Sequence, residues 1–114
     1  MGGAGEGRAM SEKRAAAEVS DHPEADRYEA TIDGEVAGFA QYIRTKDLIA
    51  FVHTVVEPAF EGRGVGSALV RTSLDEARAA GVSVLAVCPF YSGWIARHPE
   101  YQDLLYAERS KVTD

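Results

Sequence analysis

The chain has 114 residues, 46% of them hydrophobic and 26% charged, and carries a formal net charge of −6. That length and composition suit one domain with a real core, and the acidic balance argues against general nucleic-acid binding, which needs a basic face. A lone cysteine, Cys88, permits no internal disulfide and points to a reducing cytoplasm; no apolar run approaches the ~20 residues of a membrane span, and the glycine-rich Met1 to Ala9 lacks the apolar centre of a secretory signal.

Residues 1–18 hold Gly, Ala, Glu, Lys and Arg with few large apolar groups, which predicts a disordered segment ahead of a domain spanning 19–114. Asp21 to Asp26 reads as a polar turn. From Arg27 to Ile32 the pattern alternates, with Tyr28, Ala30 and Ile32 on one face, and Asp33-Gly34 then signals a hairpin. The returning strand runs to about Thr45, and Gly38 within it marks a bulge or a close backbone approach. After a turn at Lys46-Asp47, Leu48 to Glu57 is almost continuously apolar and β-branched, which predicts a central strand buried on both faces.

Gly64 to Ala80 reads as a helix, with Leu69, Val70, Leu74 and Ala77 on one stripe and Asp75, Glu76 and Arg78 on a solvated face, closed by Gly81. Val82 to Val87 is a second buried strand. A short helix capped by Ser92 is expected to stop before Pro99, and Pro99 to open a last helix carrying Tyr101, Leu104 and Leu105. The order β-β-β-α-β-α-α predicts an α/β fold with a mixed sheet, an antiparallel meander followed by a parallel pair joined through a right-handed crossover.

The stretch from strand to helix, Val55 to Ser67, is the most telling part of the chain. Gly62, Gly64 and Gly66 let the backbone curl tightly and offer bare N–H groups at a helix N-terminus, a seat for a diphosphate. A P-loop would require Lys followed by Ser or Thr after its last glycine, whereas Gly66 precedes Ser67-Ala68. A dinucleotide fingerprint would require a third glycine where Ser67 stands, and the hairpin-first strand order is wrong for that fold.

Pro58 to Leu69 resembles the acyl-CoA diphosphate loop of GNAT-type N-acetyltransferases, whose pattern is Arg/Gln-x-x-Gly-x-Gly/Ala between a central strand and a long helix. Gly64 and Gly66 take the glycine positions; Glu61 stands where the family has Arg or Gln, so it is expected to point outward, with Arg63 supplying positive charge. Arg27-Tyr28-Glu29, Gly38-Phe39-Ala40, His53-Thr54, Cys88-Pro89-Phe90 and Ile95 to Tyr101 extend the likeness over roughly residues 19–105, to a compact GNAT-like subgroup of about a hundred residues. The resemblance implies a parallel strand pair that splays apart, acetyl-CoA held by the backbone of Phe60 to Gly66 (Glu61, Gly62, Arg63, Gly64, Val65 and Gly66) with Ser67, a pantetheine arm along Thr54, Val55 and Val56, and an oxyanion donor near Val55. It also implies an amine acceptor, either a small molecule or a protein. The alternative is a CoA-binding or protein-interaction module on the same fold without turnover.

Two side chains are candidates for the chemistry. Cys88 ends the second parallel strand, and its position is similar to the subgroup's characteristic cysteine. It either takes the acetyl group as a thiolate, which needs a nearby positive group, or lines the pocket as a small buried residue. His53 is the candidate for that positive group or for a general base, against an ordinary pocket role beside Phe51 and Val55. Tyr91 is read as packing or as an acid on the thiol side. No metal-ligand spacing is present, and neither acceptor identity nor oligomeric state is legible.

Overall fold

A computed structural model of the chain describes residues 16–106. The disorder expected for the N-terminal segment lies, up to Ala15, outside the described residues. Five strands form one sheet in the order β1 (Glu18–His22), β2 (Arg27–Ile32), β3 (Glu35–Arg44), β4 (Leu48–Val56) and β5 (Ser83–Ala86). The first four make an antiparallel meander, and β5 joins β4 in parallel after the crossover helix α1 (Val65–Ala80). A short helix α2 (Pro89–Ala96) and a 3-10 segment (Pro99–Leu104) follow. No described helix is long and apolar enough to cross a membrane.

The mixed sheet agrees with the pattern in the sequence, with one strand more than expected. β1 has a single large apolar residue, Val19, and owes its conformation to neighbours rather than to its own pattern. It pairs with β2 from Glu18↔Thr31 to His22↔Arg27, and the Asp21 carboxylate accepts the Tyr42 hydroxyl at 2.6 Å from β3. The polar turn predicted over 21–26 shrinks to one 3-10 turn, Pro23–Ala25, closed by Asp26 at φ 55°. The Asp33-Gly34 hairpin also forms, with both residues at positive φ.

Two bulges decide which side chains face which way. Between β2 and β3 the register slips at Ala30/Thr31, and between β3 and β4 it slips at Gln41/Tyr42, where Gln41 pairs with His53 but Tyr42 with Phe51. Val52 is therefore the extra residue of β4, and it breaks the alternation of the strand. Phe51 faces the helices and is fully buried, while His53 faces the other way and is exposed.

Both described α-helices pack on that one face. The Leu69, Val70, Leu74 and Ala77 stripe of α1 is buried as its spacing predicts, and Tyr91 of α2 stacks on Phe51 at 4.2 Å between ring centroids. Burial of β4 on both faces is not observed. Ile49 and Phe51 are buried, but Ala50, Val52 and Val55 are only half-buried, because the described helices leave the second face of the sheet open. The cap of α2 also differs from expectation. Pro89 occupies its first position, behind Cys88, where a missing N–H costs nothing, and Ser92 sits inside the helix with its hydroxyl on the Pro89 carbonyl. The helix expected from Pro99 is a 3-10 segment that buries Tyr101 and Leu104, after which Leu105 bridges to Val84.

Gly38 lets α1 reach the sheet. A Cβ at this position would lie 2.6 Å from the Val55 carbonyl oxygen and 2.9 Å from a Val65 methyl, so the first residue of α1 is seated against bare backbone. Gly38→Ala should cost about 1–3 kcal/mol, the usual penalty of overpacking, read from urea denaturation. Ser73, fully buried in α1, donates to the Leu69 carbonyl and accepts the Tyr91 hydroxyl at 2.7 Å, and burial pushes the Tyr91 phenol above its ordinary range. Tyr91→Phe should lower stability by about 1 kcal/mol in the same assay, since Ser73 keeps its carbonyl partner.

Candidate active site

The loop between β4 and α1 begins with a 3-10 turn, Pro58–Phe60. Gly62 (φ 82°) and Gly64 (φ 77°) both adopt the left-handed region, with open space where a Cβ would stand, so glycine serves the backbone angle at these two positions. Gly66 is different. It lies in the first turn of α1, and a Cβ there would meet the Phe90 ring at 2.6 Å.

Three amides of the loop are already committed inside the turn. Phe60 donates to Glu57 O at 2.9 Å, Glu61 to Pro58 O at 3.3 Å and Arg63 to Phe60 O at 3.3 Å. The amides left open thus lie at Gly62 and from Gly64 onward, rather than from Phe60. The first bond into the helix runs from Ala68 to Gly64 O, and the amides of Gly62, Gly64, Val65, Gly66 and Ser67 take no main-chain acceptor among the described residues. These donors gather at the positive end of α1, and with the open space at Gly62 and Gly64 they suit a diphosphate. Glu61 is exposed at the rim and Arg63 half-buried. The Ser67 hydroxyl oxygen accepts the Trp94 indole N–H at 3.3 Å, leaving its own proton to point elsewhere.

The opening beside this loop comes from a mismatch in strand length. β5 follows β4 only from Leu48↔Ser83 to Phe51↔Ala86, and the Cys88 amide closes the pair on the Phe51 carbonyl at 2.8 Å. β4 continues to Val56 with no strand partner on that side among the described residues. Glu57 donates to Ala37 O, so alternation along the strand turns Val55 toward β3 and leaves the main-chain groups of Thr54 and Val56 on the open edge.

Cys88 is 5% exposed, and its Sγ lies 3.3 Å from Thr54 Oγ1. His53 is on the opposite face, edge-on to Phe39 with ring centroids 6.3 Å apart. The other partner of Phe39 is the Arg27 guanidinium, 4.4 Å from its centroid and held by Glu29 at 2.8 Å. The structure therefore joins the thiol to Thr54 rather than to His53. The sequence points to Thr54 for its backbone alone; the contact of its hydroxyl depends on the Val52 bulge, and a bulge of this kind carries no signature in a run of apolar residues. Tyr91 is fully buried with its hydroxyl on Ser73, a packing arrangement. Among the described residues no group of His, Cys, Asp and Glu could hold a metal ion.

Known proteins share this fold. The family model of GCN5-related N-acetyltransferases matches residues 27–104. The solution structure of a GCN5-like protein from Staphylococcus aureus is similar at TM-score 0.59 and 21% identity, over 77% of this chain and 86% of that one. The ribosomal-protein-S18-alanine N-acetyltransferase of Escherichia coli is similar at TM-score 0.54 and 24% identity, over 67% of this chain and 50% of that one. Rv2747 of Mycobacterium tuberculosis, solved in complex with CoA, is similar at TM-score 0.54 and 28% identity, over 68% of this chain and 50% of that one. The chain thus spans about half the length of the latter two. No curated protein matches the sequence at a significant level. A family match over most of the chain, on a mixed sheet with an open parallel pair and a glycine-bent helix entry, shows that the chain belongs to the GCN5-related N-acetyltransferase (GNAT) family.

Proposed function

We propose that this protein transfers an acetyl group from acetyl-CoA to an amine of a small molecule or protein, in the reducing cytoplasm that its lone free cysteine fits. The observation that carries the reading is the set of amides without main-chain acceptors at Gly62 and Gly64–Ser67, directly beside the open edge of β4. Acetyl-CoA, when bound, supplies the acyl group as an activated thioester. Of the residues, Gly62, Gly64, Val65, Gly66 and Ser67 would hold the diphosphate with Arg63 adding charge, and Glu61 stays at the exposed rim. The open main-chain groups of Thr54 and Val56 would pair with the pantetheine arm where β5 is missing. With Val55 turned to β3, the Thr54 amide is the better-placed donor for developing negative charge.

At the acyl end the chain offers Cys88, oriented by Thr54, as either the acetyl-accepting sulfur or a wall of the pocket. His53, exposed on the strand position next to Thr54, would take the proton of an acceptor arriving from solvent. The second face of the sheet, left open by the described helices, favours a further reading, a CoA-binding module that lacks acceptor-side elements and does not turn over.

Acetyl-CoA should raise Tm, by an amount equivalent to about 2.7 kcal/mol at a hundred times Kd; no shift at millimolar ligand removes both readings. A panel of amines assayed for released CoA thiol separates them, because binding without any release leaves only the module. In that assay Cys88→Ala should abolish turnover if the sulfur carries the group, with one acetyl mass on Cys88 of the unaltered protein. Unchanged turnover in Cys88→Ala eliminates the covalent route and keeps direct attack.

A further inference from the structure

Phe90 is a large apolar side chain left 41% exposed at the start of α2. Its ring rests on Gly66, where even a methyl group would come within 2.6 Å. The contact helps to bury Gly66 in the first turn of α1. The backbone that carries the ring is fixed as well. Pro89 holds the helix entry, and the Cys88 amide ties that entry to Phe51 at 2.8 Å. One phenyl ring therefore links the anion-facing amides of α1 to the segment that carries the thiol, and part of its surface remains open to solvent.

We infer that Phe90 is the specificity-determining wall of this site, admitting an anion that carries an apolar arm in preference to a bare nucleotide. The inference rests on the CoA reading above and deepens it. The chemistry of the arm matches the placement of the ring. Next to its diphosphate, CoA carries a methylene and then a carbon bearing two methyl groups, an apolar knot between two polar stretches. An exposed phenyl beside the diphosphate seat covers such a knot and removes both surfaces from water. A nucleoside diphosphate without the arm presents nothing to the ring and gains nothing from it.

The test compares two ligands on three proteins by calorimetry: CoA, and the same 3′-phosphorylated adenosine diphosphate without pantetheine. Phe90→Ala should weaken CoA about tenfold, the loss expected when some tens of Å² of apolar contact return to water, and leave the nucleotide unchanged. Phe90→Leu, which keeps an apolar wall, should recover most of the CoA affinity. Thermal melts of the same samples check that the exposed position leaves the fold intact. Equal CoA affinity in Phe90→Ala and the unaltered protein overturns the inference, as does an equal loss for both ligands, which would mean that the ring only shapes the loop. An unaltered protein that binds neither ligand overturns the CoA reading and this inference with it.

Discussion

The hydrogen bond from the Cys88 amide to the Phe51 carbonyl is the last rung between β4 and β5, and the candidate site is laid out by where that ladder stops. Below it, four residue pairs hold the strands in parallel; above it, β4 runs on to Val56 paired, among the described residues, with β3 alone. The same bond sets Cys88 at the head of α2 and lets Pro89 begin that helix without wasting a donor. Were β5 to continue alongside β4 to its end, the main-chain groups of Thr54 and Val56 would have a strand partner and leave no opening for a ligand.

The helix layer is held to the sheet by more than its apolar stripe. Tyr28 donates to Glu76 at 2.8 Å, and Tyr101 donates to Asp75 at 2.7 Å, so two acids on the expected solvated face of α1 anchor aromatic residues from β2 and from the 3-10 segment. Arg78 adds a two-pronged contact to Asp103. Burial, followed by the hydrogen bond to Glu76, pushes the Tyr28 phenol above its usual range, which keeps it a donor and leaves the carboxylate as acceptor. Such charge-assisted bonds favour one seating of α1 among those a hydrophobic stripe alone would tolerate. A defined seating matters because the amides at the N-terminus of α1 can converge on an anion only if that end of the helix stays put.

The glycine turn shows how one signature can hide several causes. Gly62 and Gly64 are required by positive φ, Gly66 by a phenyl ring from another helix, and Gly38, far away in sequence, by the first residue of α1. Spacing in the sequence exposes the first pair, because local backbone angles are a local matter. It is silent about Gly66 and Phe90, which are separated by the whole crossover helix and a strand.

The sequence by itself determined the elements whose cause is local: the Asp33-Gly34 hairpin, the amphipathic α1 with its glycine boundaries, the strand–helix–strand crossover, and the likeness that named the family. Only the tertiary structure decided the existence of β1, which forms because β2 offers it an edge. The same holds for the turning of His53 away from Cys88, caused by one extra residue at Val52, and for the pairing of Cys88 with Thr54. The division follows from range. Periodicity and turn chemistry act between residues a few positions apart, whereas register, bulges and the faces they select are settled between strands, where a single added residue reverses every side chain beyond it.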